Sequence, residues 1–241
     1  MAAAPVYRER PGAGAVRCWW TQRVPGGRVQ RVVPDAAADV IVAATGAAYL
    51  VGPTLRPALH SLPPGTELRG LRLRTEAVAA VLRLPGHEVR DAVVPLSAVL
   101  TDAQARTVAE SVWRGKFPRA LRTGPGEDRV RYAVRRLGDG APLDTVSAEV
   151  AVTGRQLRRL FTEQTGLGPK ALQRVARFQR FVRRADAGPV PLAEAAMTAG
   201  YADQAHLTRE VRELAGVTPA VLVRERRGLV APDRAGASAL F

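Results

Sequence analysis

The sequence predicts an α+β, strand-rich N-terminal domain over residues 1–121, followed by an all-α domain of seven helices over 127–228. Three observations predict it. Short apolar runs cut by Gly and Pro, some alternating with period two, fill the first half. Beyond residue 127 the apolar spacing becomes helical throughout. The helical half also matches itself at a separation of fifty residues, the mark of one supersecondary unit built twice.

In order along the chain, "RCWWTQRV" ends at Pro25-Gly26-Gly27 and "RVQRVV" at Pro34-Asp35, so both read as strands closed by turns. "VIVAATGAAYLVG" carries a glycine turn before Pro53, and "LRGLRLRT" alternates Leu71 and Leu73 with Arg72 and Arg74. "EAVAAVLRL" and "DAQARTVAESVW" read as helices. "RTGPGED" holds two Gly and one Pro with no apolar residue, which predicts a linker at 122–126. Helices follow near 127–137, 143–150, 154–165, 170–186, 192–198, 203–214 and 219–227, and 229–241 is expected as a flexible tail.

In the repeat, Leu157, Arg159, Gly166, Pro169 and Leu172 face Leu207, Arg209, Gly216, Pro219 and Leu222. Before Leu157 the separation drops to forty-nine, so one residue is inserted in the turn of the second copy. Each copy has a short helix with small residues, a tight turn and a polar cap (Thr153; Ala202-Asp203). A longer helix follows, closed by Gly and restarted by Pro. This is the order of a helix-turn-helix with a supporting helix. Two generic antiparallel helix pairs would show the same periodicity, so the exposed chemistry has to decide. With Leu157, Leu160 and Phe161 buried, the first copy shows Arg155, Gln156, Arg158 and Arg159; the second shows Gln204, Ala205, His206, Thr208 and Arg209. Arg and Gln make the bidentate bonds that distinguish guanine and adenine edges. The helix between the copies adds Lys170 and Arg174 as phosphate contacts.

On these residues, 127–227 resembles the DNA-binding domain of AraC/XylS-type transcription regulators. "AMTAGYADQAHLTREVRELAGVTP" matches that family's second unit through Ala196, Gly200, Tyr201, Asp203, Leu207, Arg209, Gly216 and Pro219, and "TGRQLRRLFTEQTGLGPKAL" matches its first. The resemblance implies two recognition helices fixed by a long fourth helix and set in successive major-groove segments about 34 Å apart. It places base-reading slots on Arg155, Arg158 and Arg159, and on Gln204, Ala205, His206, Thr208 and Arg209. Ser147, Ala151 and Val211 depart from the usual Ala, Gly and Phe. The first half resembles the N-terminal domain of an AraC-type subgroup through Pro34-Asp35, Asp39, Val51-Gly52-Pro53, Gly70-Leu71-Arg72 and Val94-Pro95-Leu96. That implies a sensor or dimerisation module.

Bulk properties agree without adding specificity. The 241 residues carry a formal charge of +14, which favours a polyanionic partner, but an Arg-heavy coding bias inflates that figure. One cysteine, Cys18, excludes a disulfide framework and any multi-cysteine zinc site. The chain has no membrane span and no secretory start, so a cytoplasmic protein is expected. Asp35 and Asp39 read as turn and cap residues, Cys18-Trp19-Trp20 as core, and His60 and His87 as isolated. No enzyme activity, metal or cofactor is expected. The expected partners are double-stranded DNA, RNA polymerase and a small-molecule effector, with the protein a monomer or homodimer. Two rival readings are a DNA-repair-like enzyme using Cys18 as nucleophile and a sequence-tolerant chromosome-coating protein.

Overall fold

The computed structural model describes residues 6–121, 128–229, 231–232 and 238–239. The linker expected at 122–126 lies outside the described residues. The N-terminal half is a strand-rich sheet domain and the C-terminal half is helical, as the sequence predicts.

A six-stranded antiparallel sheet forms the first half. Its strands are β1 (Val6–Pro11), β2 (Val16–Val24), β4 (Asp39–Ala43), β5 (Ala48–Val51), β7 (Thr66–Leu73) and β8 (Val93–Pro95), in the order β1-β2-β7-β4-β5-β8. Opposite it lie β3 (Arg28–Val32) and β6 (Ala58–Leu62), paired antiparallel. The alternating residues of β2 and β7 divide the sheet's two faces between two cores. One carries Val16, Val40, Val42, Leu50, Leu71 and Leu73 against α1 (Val78–Leu82) and α2 (Asp102–Trp113). The other carries Cys18, Trp20, Val24, Ile41, Ala43 and Leu68 against Leu62 of the small sheet. Every residue of β4 is buried, because both of its faces are covered. Gly70 is required where the Trp20 indole crosses β7: a Cβ there would stand 2.0 Å from the ring.

Three strands were not legible as such: β1 with all six residues exposed, β6, whose "ALHSL" barely alternates, and the three-residue β8. Within the segment expected as a flexible tail, β9 (Ser238–Ala239) runs parallel to His60 and Ser61. Asp35 takes the turn role expected of it, whereas Asp39, expected as a turn or cap residue, is a buried strand residue ion-paired with Arg72. The Asp35 Oδ1 accepts from the Ala37 N–H at 3.1 Å, and Asp39 opens β4, accepting from Trp20 Nε1 at 2.8 Å and Arg72 Nε at 3.1 Å.

The helical half has α3 (Asp128–Gly138), α4 (Leu143–Glu149), α5 (Gly154–Thr165), α6 (Pro169–Asp186), α7 (Leu192–Ala199), α8 (Gln204–Ala215) and α9 (Pro219–Arg226). The long α6 serves two cores. Its Leu172 and Val175 join Leu157, Phe161 and Leu167, while Phe178, Phe181, Val182 and Ala185 join Leu207, Val211 and Leu214. The sheet domain reaches into both: Ala36 sits in the first core, with Leu55 packed on it, and Val33 packs on the second.

Candidate nucleic-acid interface

Each repeat folds into a short helix, a tight turn and a longer helix, and the turns explain the shift in repeat spacing. In the first, the Val152 N–H reaches back to the Ser147 carbonyl and Ala151 takes φ +53°. In the second, the Tyr201 N–H reaches the Ala196 carbonyl and Gly200 takes φ +90°. The pairs are forty-nine apart, whereas the caps Thr153 and Asp203 are fifty apart, so the inserted residue is Ala202. Thr153 caps α5 through a capping box: its Oγ1 accepts from the Gln156 N–H at 3.2 Å, and Gln156 Oε1 accepts from the Thr153 N–H at 2.8 Å. Asp203 Oδ1 accepts from the His206 N–H at 2.6 Å and caps α8. Gly166 (φ +75°) and Gly216 (φ +71°) close the two helices in the left-handed conformation that favours glycine.

The outward faces differ in what they leave available. On α5, Arg155, Arg158 and Arg159 are exposed. Arg159 has one weak partner, Glu163 at 3.9 Å, and its side chain is 72% exposed. On α8, Gln204, Ala205 and Arg209 are exposed and, with Thr208 and Arg212, line a shallow groove. No ion pair forms at Arg155, Arg158, Arg209 or Arg212 among the described residues. Unpaired guanidinium groups on a helix face leave their donor forks open to a planar acceptor.

Four residues expected to face DNA are engaged within the protein. Gln156 has its amide oxygen in the capping box. His206 is half-buried, its ring edge-on to Tyr201 with centroids 5.1 Å apart. The Thr208 hydroxyl donates to the Gln204 carbonyl at 2.8 Å. Arg174, expected at phosphate, is ion-paired with Glu210 at 3.3 Å and with Glu213, so α8 already neutralises it. Lys170 stands exposed in the first turn of α6. Arg212 joins the α8 groove without being singled out by the sequence, although the helical spacing from Ala205 through Thr208 and Arg209 continues to it.

Further arginines of α6 hold the two units together. Arg177 binds Glu210 at 2.7 Å with its guanidinium 5.0 Å from the Tyr201 ring centroid. Arg180 donates to the carbonyls of Gly138 at 2.5 Å and Ala199 at 3.0 Å, joining the end of α3 to the end of α7. In the sheet domain, burial pushes the Cys18 thiol up to about 11, which keeps it protonated and a poor nucleophile at neutral pH. Among the described residues no His, Cys, Asp or Glu group is arranged to hold a metal, and no helix is long and apolar enough to cross a membrane.

Two family models match parts of the chain. Residues 146–225 match the family model "Helix-turn-helix domain", and residues 13–95 match "Domain of unknown function (DUF6597)". No curated protein matches the chain. Among solved structures, the C-terminal domain of AraT, a response regulator from Geobacillus stearothermophilus, is 19% identical, with 44% of this chain and 89% of that chain covered and a TM-score of 0.38. A probable AraC family transcriptional regulator from Rhodopseudomonas palustris is also 19% identical, covering 42% and 98%, at a TM-score of 0.37. ToxT from Vibrio cholerae is 9% identical, covering 93% and 98%, at 0.46. The chain thus carries a helix-turn-helix domain over residues 146–225, behind a domain of unknown function over residues 13–95.

Proposed function

We propose that the chain is a sequence-specific DNA-binding transcription regulator. In this reading α5 and α8 enter successive major-groove segments, and the sheet domain modulates them in response to a small-molecule effector or a second copy. One observation carries it: two helix-turn-helix units on one long helix each present arginines without a carboxylate partner on the exposed face of the second helix. Arg155, Arg158, Arg209 and Arg212 are the base-reading candidates, with Gln204 and Ala205 beside them and Lys170 and Arg159 at phosphate. The engaged side chains Gln156, His206, Thr208 and Arg174 shape and hold the helices that carry the readers.

Selection from random duplexes with the full chain, followed by gel shifts at fixed salt, tests this. A discrete motif with two parts is expected. Arg158→Ala and Arg209→Ala should each cost about 1–3 kcal/mol and relax preference at one position. Affinity should fall steeply as salt rises, because phosphate contacts release counterions. Equal affinity for random and selected DNA would favour the sequence-tolerant coating protein instead. A uniform loss across sequences would demote that arginine to phosphate contact.

A further inference from the structure

The sheet domain touches both reading units at the same point of the repeat. In the first unit that point is Thr165-Gly166, the end of α5. The backbone of Gly86 lies against it so closely that a Cβ on Gly86 would stand 2.3 Å from the Gly166 nitrogen, and one on Gly166 would stand 2.5 Å from the Gly86 oxygen. Pro53 completes the contact, 3.1 Å from the same Gly166 Cβ position. Fifty residues on, the point is Ala215-Gly216, the end of α8. Here Arg31 of β3 donates from Nη1 to the Ala215 carbonyl at 3.0 Å, and a Cβ on Gly216 would meet Pro57 at 3.4 Å. The same guanidinium forms a fork with Glu225 of α9, Nε to Oε2 at 2.8 Å and Nη2 to Oε1 at 3.1 Å. Both side chains are nearly closed to solvent, 8% and 5% exposed. Between the two points the Pro34 carbonyl accepts from Gln179 Nε2 of α6 at 2.6 Å.

The two contacts differ in extent. The first unit is seated broadly, since α1 and the turns at 75–77 and 86–88 all lie against α5. The second meets the sheet domain chiefly through Val33, Pro57 and Arg31. Two bodies joined by one helix, and by the Arg180 bonds from that helix to the ends of α3 and α7, still swing as the helix bends. A third contact between them closes a triangle and removes the swing. Building on the DNA-reading proposal above, we infer that Arg31 is a positioning residue for α8: by clamping Ala215 and Glu225 it makes the sheet domain a strut that fixes the distance between the two recognition helices. The pair is buried, so salt screens it much less than a surface ion pair.

The test uses the full chain with Cys18→Ser and spin labels on cysteines introduced at Arg159 and Arg212, both exposed. Without DNA, the parent should show one narrow distance distribution, and Arg31→Met, which keeps the aliphatic stem, a broadened or shifted one. Unlabelled parent and Arg31→Met chains are then compared on the selected site and on a copy with one base pair inserted between its halves. The insertion should weaken the parent on the order of 100-fold, as loss of a second tethered contact does, and the variant about 10-fold or less. If Arg31→Met melts below the assay temperature, Glu225→Gln opens the fork from the other side and takes its place. An unchanged distance distribution, or an unchanged penalty for the inserted pair, in a folded variant would overturn the strut. A parent that selects no sequence defeats the DNA-reading proposal instead, while the distance measurement still judges the clamp.

Discussion

Ala151 and Gly200 occupy the same place in the two turns, with φ +53° and +90°. An L-residue there pushes Cβ against the neighbouring carbonyl, at a cost of roughly 1–2 kcal/mol, part of which glycine returns as extra freedom in the unfolded chain. Ala151→Gly should therefore stabilise the protein by about 0.5–1 kcal/mol, read as a higher urea midpoint at unchanged m-value. A lower midpoint would mean that the Ala151 methyl, although exposed, packs to better effect than its backbone costs. The position was visible in the repeat, since the glycine of the second copy is an alanine in the first at the one spot where the handedness of the turn matters. What a single side chain does was less visible. Gln156 and Arg158 both look like base readers, yet only the first is three residues beyond a Thr cap and folds back onto it. The capping-box spacing is present in "TGRQ", set within an Arg-rich face whose exposed side chains equally predict base contact.

Among the elements, α6 shows how charge misleads when its partners lie in another helix. In sequence, Arg174 reads as a phosphate contact. Arg174 and Arg177 instead converge on Glu210, whose side chain is 7% exposed on the inward face of α8. The equivalent residue of α5 is Leu160, so the two units are held by different chemistry. Glu210→Ala would leave two guanidinium groups beside an emptied carboxylate site. Full burial of such orphans costs 3–5 kcal/mol, and the partial exposure of Arg174 and Arg177 lowers the expected loss to about 2 kcal/mol. Thermal and urea melts check it, and a loss under 0.5 kcal/mol would show that water replaces the carboxylate. Helix positions in this half were legible because Gly and Pro punctuate a strong 3.6 period twice over. The strands were less so, because β1 is exposed along its whole length and β8 is three residues long, leaving no alternation to read.

For the molecule as a whole, composition pointed to two domains joined by a polar linker, and nothing in the local pattern announced how the two halves touch. The residues that join them are a strand arginine and a helix glutamate 194 positions apart, a glycine whose use is its missing side chain, and a loop alanine. None has a periodic signature, and backbone-to-backbone contact such as Gly86 on Gly166 leaves no trace in hydropathy. Their energetic consequence can be measured. Ala36 belongs to the core of the first helix-turn-helix, Val33 packs on the core of the second, and the buried Arg31–Glu225 fork would lose its partner if either half unfolded alone. Unfolding one half therefore exposes apolar surface and an orphaned charge on the other, which couples their stabilities. Scanning calorimetry of the full chain should give one transition with van't Hoff and calorimetric enthalpies nearly equal. Two resolved transitions would show that the halves stand independently and that the contacts between them contribute less than the linker entropy they oppose.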